Sequence, residues 1–208
     1  MAKKKQKVPE KKSNKTIVYV GLAVLFIAAV AIYITSAPPQ KPQDTTQDIF
    51  KPEPGKVKIV EFMKFDCIHC YNLHKEMPGI LEKYGDNVTI TYVPIIFPKQ
   101  STKSIEAYII AEQMGKGDEM RDALFRAKFE KGMDVMESTL ALENVASSIG
   151  LGAFNSKLER KEAEGAARAN LALMNKYGVD STPTIFVNGK QIGSLGTDLD
   201  ASLSSLLG

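Results

Sequence analysis

Cys67-Ile68-His69-Cys70 decides the fold, because this stretch holds both cysteines of a 208-residue chain at a spacing of three. A hydrophobic run, residues 57–65, leads into it, and a run with helical character, residues 71–84, leads out of it. The two thiols therefore lie at a predicted strand-to-helix turn. Unpaired backbone N–H groups and the helix dipole at such a turn favour a thiolate. The pattern predicts a reactive thiol pair.

Each side chain of this stretch has its own expected role. Disulfide exchange needs a thiolate, a nearby second thiol and access to solvent. We expect Cys67 to be the nucleophile at the helix start, and Cys70, one turn later, to resolve a mixed disulfide. His69, as imidazolium, is expected to stabilise the Cys67 thiolate by its charge. A stabilised thiolate favours the reduced form and makes the pair a stronger oxidant.

A metal site is the alternative for the same residues. A closed tetrahedral zinc site needs four ligands. Besides carboxylates, the chain offers only Cys67, His69, Cys70 and His74. Soft thiolates also suit copper(I), so a tethered copper-binding module with His74 as a third ligand is a second function class. His74 is otherwise expected to be a partly exposed helix residue. We favour redox chemistry, and predict neither a metal nor a cofactor.

Charge is distributed unevenly along the chain, whose formal net charge is +3. Residues 1–15 contain seven lysines and one glutamate, whereas the rest of the chain carries 20 basic and 23 acidic side chains. The main part is therefore mildly acidic and lacks the basic footprint of a nucleic-acid-binding protein. We predict that the chain binds no nucleic acid and that residues 1–15 form a basic cytoplasmic tail.

An apolar segment directly follows this tail. Residues 16–35 carry no charge, and about twenty helical residues cross the roughly 30 Å hydrocarbon core of a bilayer. Tyr19 and Tyr33 lie near its ends, where aromatic rings favour the interface. A cleaved signal peptide is the alternative, but its apolar core is shorter, and Pro38 follows the best small-residue cleavage site. We predict an uncleaved transmembrane helix over residues 16–36.

The flanking charges predict the topology of this anchor. Seven lysines precede it, whereas only Lys41 and Lys51 follow within about 20 residues. The positive-inside rule then leaves the N-terminus in the cytoplasm and exports the rest, as a single-pass protein of the inner membrane with a periplasmic domain. An exported domain can hold a disulfide. Residues 37–55, which contain five prolines, are expected to form a semi-rigid linker to a domain at 56–208.

The pattern of this domain predicts an α/β fold. Strands at 56–65 and 87–97 flank a helix at 67–84, and such a strand–helix–strand unit pairs its strands in parallel. Residues 101–177 are expected to be helical, with a long last helix from about 155 to 177. This pattern predicts a helical subdomain inserted into a protein built around a β-sheet.

The end of the chain is expected to return to the sheet. Residues 184–187 form a short predicted strand, and Asn188-Gly189 is a strong signal for a hairpin turn. Residues 191–193 should pair back, and a closing helix should carry Leu199, Leu203, Leu206 and Leu207 on one face.

Glu61 is the conspicuous polar residue of the first strand, because it shares an otherwise apolar face. Burial there should raise the pKa of its carboxyl, which could then pass protons to and from Cys70 through water. Pairing of Glu61 with Lys58 or Lys64 is the alternative. Asp66, directly before the first cysteine, is expected to cap the following helix.

Taken together, residues 56–208 resemble the DsbA-like branch of the thioredoxin superfamily. The resemblance rests on a glutamate six positions before the first cysteine, the Cys-x-His-Cys site, the helical insert and Ser181-Thr182-Pro183-Thr184 ahead of a strand. It implies a thioredoxin-like fold in which the Thr182–Pro183 peptide bond is cis and in which both residues, with Ile68, contact the substrate. From the residues alone, a trans proline that begins the strand is the alternative.

The resemblance also implies a function and partners. It implies a protein-disulfide oxidoreductase that oxidises reduced exported polypeptides and is reoxidised by a quinone-linked membrane partner of the DsbB or VKOR type. Ile68 and Thr182 stand where strong oxidases often have proline and valine, so a reductase or isomerase is the alternative within enzymes. Residues 37–55 are too short and proline-rich for the dimerisation region of an isomerase, which favours a monomeric oxidase.

Overall fold

The structure is a computed structural model that describes residues 49–208. The predicted tail at 1–15, the predicted anchor at 16–36 and most of the predicted linker at 37–55 lie outside the described residues. Within residues 49–208, no helix combines the length and the apolar character needed to cross a membrane.

A four-stranded sheet with the order β2-β1-β3-β4 forms the centre of the domain. Its strands are β1 (Val57–Met63), β2 (Val88–Pro94), β3 (Thr184–Val187) and β4 (Lys190–Gln191). β1 pairs in parallel with β2, as the strand–helix–strand pattern predicts, and antiparallel with β3. Since β1 has a neighbouring strand on each side and packed side chains on each face, all but one of its residues are buried.

Helix α1 (Ile68–Tyr84) connects β1 to β2 and begins at the cysteine stretch. The two faces of β1 are covered by different elements. Ile59 packs with Leu73 of α1 and with Leu199 near the C-terminus. Phe62, on the opposite face, packs in a cluster that also contains Phe50. The first turn of α1 is therefore supported by a strand that is fixed from both sides.

Five helices lie between β2 and β3. They are α2 (Lys103–Gln113), α3 (Gly117–Phe129), α4 (Thr139–Ser148), α5 (Phe154–Glu159) and α6 (Glu164–Lys176). Ile105, Leu124 and Phe154 belong to a buried cluster that also includes Phe65 and Cys70. The helical insert therefore packs directly against the back of the cysteine stretch.

The single long helix predicted from about residue 155 to 177 is wrong, because this segment divides into α5 and α6. Lys161 has a φ of 53°, in the left-handed region that an α-helix of L-residues avoids. Glu162 pairs with Arg160 at 2.6 Å across this turn. Residues 159–162 are all charged, so no apolar side chain there holds a continuous helix against the core.

The predicted hairpin after β3 is confirmed. Asn188 and Gly189 have φ values of 48° and 79°, the left-handed pair that a two-residue turn between antiparallel strands favours. The returning strand is Lys190–Gln191, which begins one residue before the predicted range. Helix α7 (Gly196–Leu207) closes the chain and buries Leu199 and Leu203, with Leu207 partly buried beside them. The prediction for Leu206 is wrong, because its side chain is 52% exposed.

Candidate active site

Cys67 and Cys70 lie where β1 gives way to α1, in unlike environments. Cys67 is the N-cap residue of α1, and its Sγ accepts a hydrogen bond from the backbone N–H of Cys70 at 3.3 Å. Both cysteines are free thiols, so the site is in its reduced form. Cys67 is half-buried and Cys70 is fully buried. Only Cys67 can therefore meet an incoming thiolate or disulfide.

The predicted cap at Asp66 is wrong, because Cys67 itself occupies the N-cap position. Its sulfur takes the place of the oxygen that usually accepts the free N–H groups of the first turn. Asp66 Oδ1 is held by Lys64 Nζ, 3.1 Å away, in an ion pair without hydrogen-bond geometry. The helix therefore directs its N–H groups at the reactive sulfur.

The pKa of the Cys67 thiol is lowered to about 5. The largest cause is the hydrogen bond from the Cys70 side chain. The Thr182 side chain and the backbone N–H groups of Cys70 and His69 lower the pKa further, whereas burial raises it. With this pKa, Cys67 is a thiolate at neutral pH, which is the form that attacks and leaves in disulfide exchange.

The Cys70 thiol has the opposite character. Its pKa is raised far above the ordinary value by the hydrogen bond with Cys67 and by burial. The negative charge of Glu61 adds to this rise, so the two groups lie within electrostatic reach of each other. Cys70 therefore stays protonated in the reduced protein, and its proton must be removed before it can attack a mixed disulfide.

Glu61 lies in the middle of β1, where it is 2% exposed. Its neighbours in register are Tyr92 on β2 and Ile185 on β3. Burial raises the pKa of its carboxyl to about 8, the charge of Arg121 opposes the rise, and Cys67 adds to it. A carboxyl with this pKa can both accept and donate a proton near neutral pH.

Lys58 and Lys64 have other partners within the described residues. Lys58 Nζ donates a hydrogen bond to Thr91 Oγ1 at 2.7 Å, and Lys64 pairs with Asp66. The burial predicted for Glu61 is observed, and the direction of its pKa shift is the predicted one. Its role in proton transfer stays a prediction.

The loop before β3 meets Cys67 across the fold. The Thr182–Pro183 peptide bond is cis, as the resemblance implies. The backbone O of Thr182 lies 3.2 Å from Cys67 Sγ and accepts a hydrogen bond when that sulfur is protonated. A backbone carbonyl beside the nucleophile is suited to orient an extended polypeptide, and this substrate contact stays a prediction for Thr182 and Pro183.

Ile68 and His69 occupy the exposed side of the same turn. Ile68 is 48% exposed, which is unusual for a large apolar side chain of this domain. An apolar side chain beside a thiolate offers a contact surface to an unfolded polypeptide. His69 acts on Cys67 through its backbone N–H, while the charge effect predicted for its ring stays a prediction.

His74 lies on α1 against the helical insert. Its Nε2 is 3.3 Å from Asp122 Oδ1, and its ring packs on Phe125 with 5.0 Å between centroids. Burial lowers the pKa of its imidazole. Among residues 49–208, no group of three or more His, Cys, Asp or Glu side chains is arranged to hold a metal ion.

Sequence reasoning missed two groups beside Glu61, namely Arg121 and Tyr92. Arg121 comes from α3 and is 8% exposed. In the sequence, Arg121 is only a charged residue beside the apolar stripe of a predicted helix, and such residues usually lie at the solvent-exposed edge of the stripe. Tyr92 was assigned to an alternating strand, and its position beside Glu61 depends on the register between β1 and β2.

A family model described as thioredoxin matches residues 53–203. The thiol:disulfide interchange protein DsbA of Pseudomonas aeruginosa is 29% identical over 152 residues, covering 69% of this chain and 70% of that protein. The protein of the same name from Burkholderia cepacia is 25% identical over 141 residues, covering 65% of each chain. The matched region thus spans about two thirds of the length of these relatives.

Solved structures share the same architecture. The oxidoreductase DsbA from Xylella fastidiosa superposes with a TM-score of 0.64 at 25% identity, covering 76% of this chain and 87% of that chain. This similarity confirms the predicted thioredoxin-like α/β fold with its mixed sheet and helices. The DsbA likeness inferred from the cysteine site, the glutamate and the proline loop is confirmed by the curated relatives and the solved structure together.

Proposed function

This chain belongs to the thioredoxin family, and from that premise we propose that it is a thiol–disulfide oxidoreductase that donates disulfides to reduced exported polypeptides. One observation carries the proposed direction, namely the lowered pKa of Cys67. A stabilised thiolate exists only in the reduced form, so it draws electrons toward the enzyme and makes the oxidised form a disulfide donor.

The donation step follows from the two unlike thiols. A substrate thiolate attacks Cys67 Sγ of the enzyme disulfide, and Cys70 leaves as a thiolate that takes up a proton from Glu61. A second substrate thiolate then attacks the substrate sulfur of the mixed disulfide, which forms the substrate disulfide and releases the Cys67 thiolate. Two electrons pass from the substrate to the enzyme. Ile68, Thr182 and Pro183 hold the substrate backbone during the exchange.

Reoxidation uses the same groups in reverse. The Cys67 thiolate attacks the disulfide of an oxidising partner, forms a mixed disulfide with one partner sulfur and releases the other partner sulfur as a thiolate. Glu61, as carboxylate, takes the proton from Cys70, whose thiolate attacks Cys67 Sγ and releases the partner as a thiolate. The partner we propose is a quinone-linked membrane protein of the DsbB or VKOR type. The resemblance to the DsbA-like branch supports this choice.

The proposed location is the inner membrane, with the catalytic domain in the periplasm. Support comes from the uncharged stretch at 16–35, from the seven lysines before it and from the need of the thiol pair for an oxidising compartment. A tether to the membrane keeps the domain near a membrane partner. Protease protection of the N-terminus in spheroplasts, with an accessible domain at 56–208, is the expected result.

The reduction potential of the cysteine pair tests the direction of electron flow. The full chain is equilibrated with glutathione buffers, and the oxidised fraction is measured by thiol alkylation, with Cys67→Ser as the blank. A potential well above about −200 mV is expected for a disulfide donor. A potential near about −270 mV would contradict the oxidase and favour a reductase that needs an electron donor.

A further inference from the structure

A buried cation from the helical insert, Arg121, lies over the tyrosine that neighbours Glu61. The Arg121 side chain extends from α3 toward β2, and its Cζ lies 3.7 Å from the centroid of the Tyr92 ring. Tyr92 is the register partner of Glu61 across the parallel β1–β2 pair. Register partners project from the same face of a sheet about 5 Å apart. The guanidinium therefore stacks on the ring that lies beside Glu61.

The ion pair at the outer end of Arg121 leaves much of its charge unmatched. Arg121 Nη1 donates to Asp118 Oδ1 at 2.7 Å, but the Asp118 side chain is 85% exposed, whereas that of Arg121 is 10% exposed. Arg121 Nε is buried and has no hydrogen-bond partner among the described residues, and the same holds for Tyr92 Oη. A buried guanidinium with unused donors needs a second anion within reach.

Among the ionisable groups described near Glu61 and Arg121, Arg121 is the one that can supply a permanent positive charge. Arg121 from α3, Cys67 and Cys70 from the start of α1, and Tyr92 from β2 interact electrostatically with Glu61. The groups that interact with Arg121 also include His74 of α1, Tyr108 and Glu112 of α2, and Asp118 of α3. The cysteines, tyrosines and carboxyls become neutral or negative as they titrate. Burial lowers the pKa of His74, which leaves its imidazole neutral near pH 7. Arg121 alone among these groups stays positive throughout the working range.

We propose that Arg121 is a positioning residue that keeps the buried Glu61 carboxylate available as the proton acceptor for Cys70. The proposal rests on the disulfide exchange proposed above and adds the helical insert to its machinery. During reoxidation the Cys70 thiol gives its proton to the Glu61 carboxylate. The Cys70 thiolate then attacks Cys67 Sγ of the mixed disulfide, which forms the Cys67–Cys70 disulfide and releases the partner's sulfur as a thiolate. Arg121 touches no reacting atom, and acts by stabilising the charge of Glu61 before that transfer.

The direct test is the pKa of Glu61 in the reduced full chain, followed by carbon-13 NMR of labelled glutamate with Glu61→Gln as the assignment control. In Arg121→Met we expect this pKa to rise by about 1, because an opposite charge within reach shifts a carboxyl by this order. Arg121→Lys, which keeps the charge, should leave it near the wild-type value. Arg126→Gln removes an exposed arginine of the same helix and is the matched control.

The rate of the reaction gives a second readout. In Arg121→Met, the pH midpoint for attack of Cys70 on a preformed Cys67 mixed disulfide should rise together with the pKa of Glu61. At pH 7 the carboxylate fraction of Glu61 then falls about tenfold, and the rate of this step should fall by the same factor. Arg121→Gln keeps a planar polar group over Tyr92 and replaces the methionine variant if that variant fails to fold. A pKa of Glu61 unchanged in the folded neutral variant, or raised equally in Arg121→Lys, would overturn the proposal.

These outcomes separate the two proposals. The NMR titration reports on Arg121 whether or not the chain oxidises substrates. A low reduction potential in the wild-type chain would contradict the oxidase proposal, while the pKa of Glu61 would still decide the role of Arg121.

Discussion

Cys67 and Cys70 have the same side chain but lie in different environments, and this difference gives the site its chemistry. Cys67 accepts the hydrogen bond of Cys70 and the N–H groups of the first helical turn, and its thiolate is stabilised. Cys70, one turn further and fully buried, keeps its proton. The nucleophile and the resolving thiol are therefore distinguished by position alone.

Replacement of Cys70 by alanine should raise the pKa of Cys67 from about 5 toward its ordinary range. The hydrogen bond from the Cys70 side chain is the largest cause of the lowering, and that of Thr182 is smaller. Thr182→Val should therefore raise the pKa by less than Cys70→Ala. The thiolate absorbance at 240 nm, followed against pH, measures both. Asp66→Asn, beside Cys67 but bound to Lys64, is the control, and equal effects of all three variants would contradict this ranking.

Replacement of Glu61 by glutamine should stabilise the reduced protein at neutral and alkaline pH. The folded carboxyl has a pKa of about 8, whereas an unfolded glutamate has one of about 4.3. Between these values the folded state binds a proton that the unfolded state has released, so the wild type loses stability as pH rises through this window. The advantage of Glu61→Gln should grow by at most about 1.4 kcal/mol per pH unit.

Urea denaturation of the reduced chain at pH 5, 6.5 and 8 measures this difference. Glu82→Gln, on the exposed side of α1, is the matched control and should show no such trend. An advantage of Glu61→Gln that stays constant with pH would mean that the carboxyl is not held protonated by burial.

At the scale of elements, helix α3 of the insert braces the active-site helix α1. The Phe125 ring lies 5.4 Å from Phe65, 5.8 Å from Tyr71 and 5.0 Å from His74, measured between ring centroids. Phe125 is 1% exposed. One aromatic side chain of the insert therefore contacts the residues on both sides of the cysteine stretch.

Phe125→Ala should cost about 3–5 kcal/mol of unfolding free energy, because the lost ring leaves a cavity where three aromatic groups met. Phe129→Ala is the matched control on the same helix. The Phe129 ring stacks on Tyr71 at 5.0 Å but is only half-buried, so its loss should cost less. Chemical denaturation of the reduced full chain compares the two. A smaller cost for Phe125 than for Phe129 would contradict the bracing role.

Local sequence patterns predicted the elements that depend on local physics. The parallel pairing of β1 with β2 and the turn at Asn188-Gly189 follow from short-range periodicity and turn chemistry. The burial of Glu61 followed from strand alternation. The break at Lys161 was missed because a charged run reads as a continuous solvated helix face. The cap at Cys67 was missed because sulfur is not among the usual capping groups.

The surroundings of Glu61 depended on contacts that no local pattern contains. Arg121 reaches Tyr92 from a helix that begins 23 residues after β2 ends, and only the packing of α3 against the sheet brings them together. The cis bond at Thr182–Pro183 was predicted from the resemblance to a family, and the substrate contact of these two residues stays a prediction. From the residues alone, the trans alternative stayed open.

At the scale of the whole molecule, the stability difference between the reduced and oxidised forms should depend on pH because of Cys67. Its lowered pKa stabilises the folded state above the ordinary thiol pKa, and this stabilisation is lost as pH falls through about 5. It exists only in the reduced form, since the disulfide has no thiolate. The stability of the reduced form relative to the oxidised form should therefore increase with pH between about 5 and 8.

Melting temperatures of the two forms of the full chain, measured across this pH range, test the coupling. Cys67→Ser in the reduced state removes the thiolate, so the stabilisation that increases with pH should be absent and only the decrease that Glu61 causes should remain. A difference between the two forms that is independent of pH would show that the thiolate contributes nothing to the stability of the fold.

Cys67 Sγ and the backbone O of Thr182 lie 3.2 Å apart, although 115 positions separate the two residues in the chain. A ribosome therefore completes the cysteine stretch long before the loop that approaches it, and the two can meet only when the intervening helices have folded. Until then Cys67 lacks Thr182 as a neighbour, and the part of its pKa lowering that Thr182 contributes is absent. A newly made molecule should thus acquire the full lowering of the Cys67 pKa only after the loop before β3 has been made and has packed beside the cysteine stretch.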